Sequence, residues 1–296
     1  MSVSKFFPQC LPALGALTHA LNADVLLRVG FRPGAATLRG RVFDAVWYAL
    51  RRSNRNASGA MYWIGTDVLN TTREFASRKL GRAFYDSSAR DLHIADAPWL
   101  VDELAATGVD ANFIHLPGSA VCAPKILPLN STFRVLTYIP DPRHRFYGGK
   151  TIFDAAQRLP MIEFDVVGGR GHWAPAPLRN LHFHGWQPDM QRSYANASAV
   201  VRLVEHDSIG ATVQEGLLLG RHVLYSYPLP HTTYIAFGDL ERLVRELWNL
   251  FELHRAGRLG PNVGGYAFAT AEFDEARDAR ALASLLARRR FPGVVR

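Results

Sequence analysis

The chain has 296 residues, of which 48% are apolar and 20% charged. One domain holds roughly 150 residues, so this length predicts about two folded domains, and the composition excludes a largely disordered chain. The net charge of +8, from 34 Lys and Arg against 26 Asp and Glu, suits an anionic ligand, an anionic membrane surface or nucleic acid. Neither a zinc-ligand spacing nor an aromatic RNA-binding signature accompanies the charge, which argues against nucleic acid.

The cysteine count predicts a reducing compartment. Only Cys10 and Cys122 are present, so no disulfide framework is expected and the protein is predicted to be cytoplasmic. Pro8 and Pro12 interrupt the apolar run near the N-terminus, which favours a packed first helix over about residues 11–21 rather than a signal peptide. No run reaches the ~18 apolar residues of a membrane-spanning helix. Basic patches leave open a peripheral contact with the inner face of a membrane.

Predicted strands and helices alternate along the first half. Strands are predicted at 24–29, 61–64, 92–95 and 111–116. Helices are predicted at 41–52, between the second and third strands, and at 98–107. A loop-like stretch with three prolines, from Leu116 to Asn130, ends this half.

The second half repeats the alternation more clearly. Strands are predicted at 133–139, 162–167, 181–184, 199–204 and 222–225. Helices are predicted at 151–158, 190–197 and 211–219, along a stripe from Leu240 to Phe251, and at 276–289. Short strands alternating with helices predict two α/β domains with parallel sheets, at 1–127 and 128–296.

The stretch HDSIGATVQEGLLLG, residues 206–220, places two acids around a small-residue turn. It follows a predicted strand, and ligands of parallel sheets bind beyond the carboxyl ends of the strands. The backbone N–H groups at Ser208, Ile209 and Gly210 open a helix and favour an anion such as a diphosphate. Asp207 and Glu215 could then accept from sugar hydroxyls. The alternative is an ordinary helix start, with Asp207 as a cap and Glu215 on a solvated face.

Two further stretches suit a nucleotide. Arg143 and Lys150 flank a glycine turn between a predicted strand and a predicted helix, an arrangement that suits a pyrophosphate as well as a solvated loop. Gly168 and Gly169 follow another predicted strand, but no helix comes directly behind them, which argues against a nicotinamide or flavin site. A nucleotide contact and a plain tight turn both stay open there.

Metal ligation is not predicted. His182 and His184 share one face of a predicted strand, but no third ligand is convincingly spaced for a metal ion. Structural histidines are therefore expected, and the sequence predicts no metal site.

Taken together, these stretches resemble a nucleotide-sugar glycosyltransferase of the GT-B type, which has two Rossmann-like parallel-sheet domains, here with a short N-terminal domain. The retaining, family-4-like branch marks its donor site with an acid, seven residues and a Glu before a small-residue helix. The stretch from Asp207 to Glu215 fits that frame, with Asp in the first place. The resemblance covers about residues 133–230 well and extends through Val166–Gly169, Phe183–Trp186, Tyr194–Ala197 and Gly220–Val223.

The resemblance implies a role for each candidate residue toward the donor. Glu215 would bind the donor ribose, Asp207 the transferred sugar, and the backbone of Ser208, Ile209 and Gly210 the diphosphate. Arg143 or Lys150 would assist in binding the diphosphate, and Arg202 would point toward the same end of the sheet. The base would lie near Gly168, Gly169 and Trp186. Asp67, which follows the strand 61–64, is the best base if the reaction inverts. The alternative is that Asp67 caps the following helix through backbone groups of Thr71 or Thr72.

The predicted function is therefore metal-independent, retaining transfer of a sugar from a nucleoside-diphosphate donor, without a further cofactor, to a glycan or lipid-linked hydroxyl acceptor. Residues 1–127 would form the acceptor-side domain and 128–296 the donor-binding domain. Two alternatives stay open. A nucleotide-sugar epimerase of the same fold would convert the donor without an acceptor, and a non-catalytic partner subunit is suggested by the short first half.

Overall fold

The computed structural model describes residues 22–34, 37–116 and 124–290, so the helix predicted over about residues 11–21 lies outside the described residues. Two compact units divide the chain. The first consists of the described residues of Met1–Ser119, His206–Ile209 and Asp274–Arg296, and the second of those of Ala120–Glu205 and Gly210–Phe273. Each unit is built on one parallel sheet, which confirms the predicted α/β class.

The first unit contains a four-stranded sheet in the order β1-β2-β3-β4. Its strands are β1 (Val25–Val29), β2 (Ser58–Trp63), β3 (Leu92–Ala95) and β4 (Asn112–Phe113). The connecting helices are Leu38–Ser53, Thr66–Ala76, Arg82–Ser88 and Pro98–Ala105. The last strand is shorter than the predicted 111–116, because the chain leaves the sheet and the Leu116 N–H donates to the carboxylate of Asp96.

The last helix, Glu275–Arg290, packs on the first sheet. Its residues Ala279 and Leu282 are buried in one core with Tyr62 of β2 and Ile94 of β3. An amphipathic helix must cover its apolar face, and this sheet supplies the matching surface. The compact units differ from the continuous division at 127/128, because the described residues 274–290 and the loop His206–Ile209 belong to the first unit. The acceptor-side and donor-binding roles of the two domains stay predictions.

The second unit contains a six-stranded sheet in the order β10-β9-β8-β5-β6-β7. Its strands are β5 (Arg134–Tyr138), β6 (Glu163–Val167), β7 (Leu181–Gly185), β8 (Ala199–Arg202), β9 (His222–Tyr225) and β10 (Thr232–Tyr234). Its α-helices are Gly149–Arg158, Gln191–Asn196, Ala211–Leu218, Leu240–Arg255 and Val263–Glu272. None of the helices in the described ranges has the length and apolarity needed to cross a bilayer.

The core of the second unit confirms the predicted stripe on its longest helix. Leu243 and Leu247 of Leu240–Arg255 are fully buried together with Ile152 and Phe164. The remaining members of the stripe pack against the same core. A helical repeat of apolar residues thus identified both the helix and the face that it buries.

Strand β10 and the helix Val263–Glu272 have no counterpart among the predicted elements. Gly264 and Gly265 lower the helix propensity at the start of that helix, which hides it from a propensity argument. Asn262 caps the helix by accepting from the Gly265 N–H at 2.8 Å. A Cβ on Gly265 would lie only 2.8 Å from a methyl group of Leu217, so the glycine admits a close helix–helix contact.

Arg221 ties several loops of the second unit together. Its side chain is fully buried, and its guanidinium donates to the carbonyl oxygens of Ala197 at 2.8 Å, Leu219 at 3.0 Å and Pro128 at 3.2 Å, and to that of Leu127. Burial lowers the pKa of the guanidinium to about 10, so it stays charged at neutral pH. The charge is satisfied by carbonyl dipoles.

We expect Arg221→Met to lower the free energy of unfolding by about 3 kcal/mol or more, because several buried carbonyl groups lose their donor at once. Urea denaturation of the full chain measures the change. Arg258→Met, at an exposed position of the same unit, is the matched control and should have little effect. Equal midpoints for wild type and Arg221→Met would show that the carbonyl groups do not depend on the guanidinium.

Candidate functional site

Two arginines and two tyrosines of the second unit form a group that we call the arginine cluster: Arg143, Arg202, Tyr138 and Tyr147. The guanidinium carbons of Arg143 and Arg202 lie 5.4 Å and 5.3 Å from the centroid of the Tyr147 ring. The Tyr147 ring in turn meets Tyr138 edge-on, with the centroids 5.6 Å apart. Guanidinium groups stacked on a ring are held in orientation by cation–π attraction. The structure therefore brings together two arginines that are 59 positions apart in the sequence (202 minus 143).

The pKa of Tyr138 reflects its closeness to Tyr147, Arg202 and Arg143. Burial raises the pKa of its hydroxyl, and the neighbouring Tyr147 acts in the same direction. Arg202 and Arg143 act in the opposite direction, because a nearby cation favours the phenolate. The cluster is thus a cationic surface in which Arg143 is exposed and the other three side chains are partly buried.

Gly210 places this cationic surface at the start of a helix. It precedes Ala211–Leu218, and no side chain caps the first turn there. A Cβ at this position would collide with the guanidinium of Arg202, whose Nη1 donates to the Thr212 hydroxyl at 3.4 Å. The first N–H groups of a helix have no intrahelical acceptor and carry the positive end of its dipole. Together with the guanidinium they suit a diphosphate.

Gly168 and Gly169 form the turn after β6, beside the arginine cluster. Gly168 has φ 91°, and a Cβ there would overlap the ring of Tyr138. The Gly168 N–H donates to the Gly185 carbonyl at 2.7 Å, and the Gly185 N–H donates to the Gly169 carbonyl at 3.0 Å. The turn therefore joins the carboxyl ends of β6 and β7, and its glycines are required by packing alone.

The same turn is fixed from the other side by Asp141. Its carboxylate accepts from the backbone N–H groups of Arg170 at 2.8 Å and Gly171 at 2.9 Å. Although burial raises the pKa of Asp141, these hydrogen bonds hold it below its usual value. The backbone around the glycines is therefore well defined.

Lys150 and Trp186 lie on the surface of the second unit. The Lys150 ammonium is paired with Asp154 one helical turn away, at 2.5 Å, and its side chain is 87% exposed. Trp186, directly after β7, is 73% exposed. Lys150 thus already has an acidic partner, and the indole ring of Trp186 is accessible to solvent.

Glu215 is buried, with 6% of its surface exposed. Every residue from Val213 to Leu218 is buried, so this helix has no solvated face at Glu215. A buried carboxylate is costly unless polar partners satisfy it. The alternative of an acid on a solvated surface is therefore excluded by the packing of this helix.

The loop His206–Ile209 belongs to the first unit. The indole N–H of Trp99 donates to the carbonyl of Asp207 at 2.8 Å. His206 Nε2 lies 2.8 Å from a carboxylate oxygen of Glu103, and the His206 side chain is only 6% exposed. These contacts hold the backbone of the loop, and Asp207 itself is 9% exposed.

Gly65 lets the loop approach the end of β2. Its φ is 110°, and a Cβ would lie 3.1 Å from the backbone nitrogen of Ser208. Ser208 and Ile209 are buried, with 8% and 3% of their surfaces exposed. The predicted phosphate-binding residues Ser208 and Ile209 therefore lie in one compact unit, whereas Gly210 lies in the other.

Asp67 is buried in the first turn of the helix Thr66–Ala76, which follows β2. Its carboxylate accepts from the backbone N–H groups of Ile64 and Val68, each at 3.1 Å. Burial raises its pKa to about 6, against the opposing effect of these hydrogen bonds and of nearby His206. The pKa of Asp67 therefore lies close to neutral pH, where a carboxylate can both take up and release a proton.

Asp96, at the end of β3, is a second buried acid. It accepts from the Leu116 N–H at 2.6 Å and from Ser208. Burial raises its pKa to about 7, which these hydrogen bonds oppose and the nearby carboxylates of Asp207 and Asp278 reinforce. Asp96 is thus largely protonated at mildly acidic pH.

Several residues of these groups were not among the predicted site residues: Tyr138, Tyr147, Asp96, Trp99 and His206. Asp96 could have been found, because it comes directly after β3, at the carboxyl end of a parallel strand. The tyrosines and Trp99 carry no such signal, since their roles depend on which loops meet in space.

Comparisons with known proteins identify the fold of this chain through similar solved structures. No family model matches the sequence, and no curated protein matches it. HepE of Anabaena in complex with UDP-glucose is 14% identical, with a TM-score of 0.67, over 97% of this chain and 84% of that chain. HepE with UDP and glucose is 16% identical, with a TM-score of 0.71, over 97% of this chain and 83% of that chain.

A further similar structure is sucrose-phosphate synthase from Thermosynechococcus elongatus. It is 13% identical, with a TM-score of 0.65, over 90% of this chain and 73% of that chain. At such identities the likeness shows the fold. The predicted fold class, two Rossmann-like parallel-sheet domains of the GT-B type, is confirmed.

The raised pKa of Asp96 predicts a pH-dependent stability. Between its ordinary value of 3.8 and about 7, the folded chain keeps a proton that the unfolded chain has lost. The state that binds more protons is favoured at low pH, so this group makes the folded state less stable as the pH rises through that window.

We expect Asp96→Asn, which places a neutral amide there, to remove about 2–4 kcal/mol of the stability loss between about pH 5 and about pH 8. Urea denaturation of both proteins at the two pH values measures it. Asp110→Asn, at an exposed acid of the same unit, should follow the wild-type profile. Parallel profiles for wild type and Asp96→Asn would contradict the raised pKa.

Proposed function

We propose that this protein transfers a sugar from a nucleoside-diphosphate donor to a hydroxyl acceptor. The observation that carries the proposal is the arginine cluster beside the uncapped helix start at Gly210, which together provide guanidinium and N–H donors for a diphosphate. The GT-B fold and the complexes of the similar protein HepE with UDP-glucose and with UDP support the same ligand class.

The donor diphosphate is assigned to the arginine cluster. Cleavage of the sugar–phosphate bond leaves an extra negative charge on the diphosphate. Arg202, Arg143 and the N–H groups after Gly210 would stabilise that charge as it develops, in the role that a divalent cation fills elsewhere. Lys150 would contribute long-range attraction, weakened by its pairing with Asp154 and by solvent.

The nucleoside is assigned to neighbouring positions of the same unit. The buried carboxylate of Glu215 would accept hydrogen bonds from the ribose hydroxyls. The base would lie near the Gly168–Gly169 turn, with the exposed ring of Trp186 available for stacking. These roles follow the resemblance in sequence. Glu215 is buried, the Gly168–Gly169 turn is held by backbone hydrogen bonds, and Trp186 is exposed.

The remaining roles concern the transferred sugar. Asp207 would hold its hydroxyls, as the resemblance in sequence implies. In the retaining mode, the bond from the anomeric carbon to the acceptor oxygen forms on the face that the diphosphate leaves. The acceptor proton then passes to the departing phosphate. If the reaction inverts, Asp67, with its pKa near 6, would take that proton instead.

A donor panel tests the proposal. Thermal unfolding is followed with UDP, GDP, ADP and their sugars, and each stabilising donor is then incubated with and without hydroxyl acceptors. We expect one nucleotide family to stabilise the chain, and the corresponding sugar to be transferred or slowly hydrolysed. A chain that no nucleotide stabilises would contradict the proposal. Donor conversion without an acceptor would identify an epimerase, and binding without turnover a partner subunit.

We expect Arg202→Ala to weaken binding of the preferred nucleoside diphosphate about tenfold or more, while the free nucleoside binds as before, because charge-assisted hydrogen bonds to phosphate are lost. Isothermal calorimetry measures both affinities. Arg258→Ala, at an exposed arginine of the same unit, is the matched control. Equal losses for nucleoside and diphosphate would assign Arg202 to packing rather than to phosphate.

We expect Glu215→Gln to weaken the preferred nucleotide about tenfold, because a charged acceptor for ribose hydroxyls is replaced by a neutral one. The 2′-deoxy nucleotide isolates the contact. Wild type should prefer the ribonucleotide, and Glu215→Gln should lose most of that preference. A preference that survives the substitution would remove Glu215 from the ribose site, whatever its effect on stability.

A further inference from the structure

A polar cavity in the second unit is lined by residues other than those of the arginine cluster. Its volume is about 580 Å³, within the range of small-molecule sites. It lies against one face of β5, β6 and β7, with the short helix Gln191–Asn196 and the segment before β5 as its other walls. Arg143, Arg202, Gly168 and Gly210 are not among its lining residues.

The walls are connected to each other. The side-chain amide of Asn130 donates to the Ala195 carbonyl and to the Asn196 side chain, each at 3.3 Å. His254 lies 2.7 Å from the Asn130 carbonyl. The segment before β5 is therefore fastened to the helix Gln191–Asn196, and the cavity has a defined shape.

The floor of the cavity is a hydrogen-bonded set of charged side chains. Arg134 donates to both carboxylate oxygens of Asp165, at 2.7 Å and 2.8 Å, in a bidentate pair. His184 Nε2 lies 2.6 Å from Asp165 Oδ1. The negative charge of Asp165 is thus neutralised within the floor, and Arg134 is held rigidly with its Nη1 group outside the pair.

A second guanidinium gives the cavity its net charge. Arg192 lines the cavity from the helix Gln191–Asn196 and is exposed. Within the part of the chain that the structure describes, Arg192 has no carboxylate partner. Because the charge of Asp165 is matched by that of Arg134, Arg192 leaves the cavity with one positive charge in excess.

The polar and charged side chains that line the cavity favour polar ligands over apolar ones. Every lining residue in the described chain is polar or charged, and none is aromatic except His184. Lipid tails and stacked bases therefore find no apolar surface there. The hydroxyls of Ser131 and Ser193 and the amide of Asn196 suit hydroxyl groups, and Arg192 suits a carboxylate.

We propose that this cavity binds an acidic saccharide, with the carboxylate of the sugar on Arg192 and the sugar hydroxyls on the amide and hydroxyl side chains of the wall. The cavity shares none of its lining residues with the proposed donor site, although its lining residues His184 and Gln187 flank Gly185 and Trp186 in the sequence. Its occupancy does not depend on whether the chain transfers a sugar.

Calorimetric titration of the full chain tests the proposal with two matched probes, a galacturonate oligosaccharide and its methyl ester, which keeps the sugar frame and removes the charge. We expect the acid to bind saturably and the ester about tenfold more weakly or not at all, as for loss of a charge-assisted contact. Inorganic phosphate is the third probe and should bind more weakly than the acid oligosaccharide.

Variants place the binding in this cavity. Arg192→Ala should weaken the acid oligosaccharide about tenfold, while leaving the thermal midpoint and UDP binding unchanged. Arg258→Ala, an exposed arginine of the same unit, should have no effect. Failure of the acid to bind, equal binding of acid and ester, phosphate binding as tightly as the sugar, or equal losses in both variants would each overturn the proposal.

Discussion

All strand pairs in the described parts of the two sheets are parallel, and this pairing decides where the polar groups of the molecule gather. Parallel strands end at the same edge of their sheet, so the segments that follow them are neighbours however far apart they are in sequence. Asp67 and Asp96 follow adjacent strands of the first sheet. In the second sheet, Arg202 ends β8 and Gly168 follows β6.

The two units differ in the environment of their charged side chains. In the first, Asp67 and Asp96 are buried among backbone donors, and loss of solvation raises the pKa of each toward neutrality. In the second, the guanidinium groups of Arg143 and Arg202 are stacked on an aromatic ring and remain cationic. The first arrangement suits the exchange of a proton, and the second suits a permanent anion.

Close approach of backbones depends on glycine at a few positions. Gly65 admits the backbone of Ser208, Gly168 admits the ring of Tyr138, and Gly210 admits the guanidinium of Arg202. In each case a Cβ would meet another group within a short distance. Gly210, which the sequence associates with the diphosphate, and Gly168, which it associates with the nucleotide, are therefore also required by packing. A glycine turn alone cannot separate the two roles.

The sequence by itself determined the alternation of strands and helices, the parallel class of both sheets and the apolar stripe of Leu240–Arg255, because these follow from local periodicity. It also located the candidate positions Arg143, Arg202, Asp67 and Glu215. Only the tertiary structure decided that both arginines share the ring of Tyr147, and that Glu215 is buried.

Tertiary structure also decided that Glu275–Arg290 covers the first sheet and that His206–Ile209 belongs to the first unit. Both depend on contacts between residues distant in sequence, such as Trp99 with Asp207. A short segment of sequence determines the hydrophobic periodicity of a helix or strand and the chemistry of its side chains. Which element covers which apolar face, and which loops meet, is set by packing of the whole chain, and no short segment encodes it.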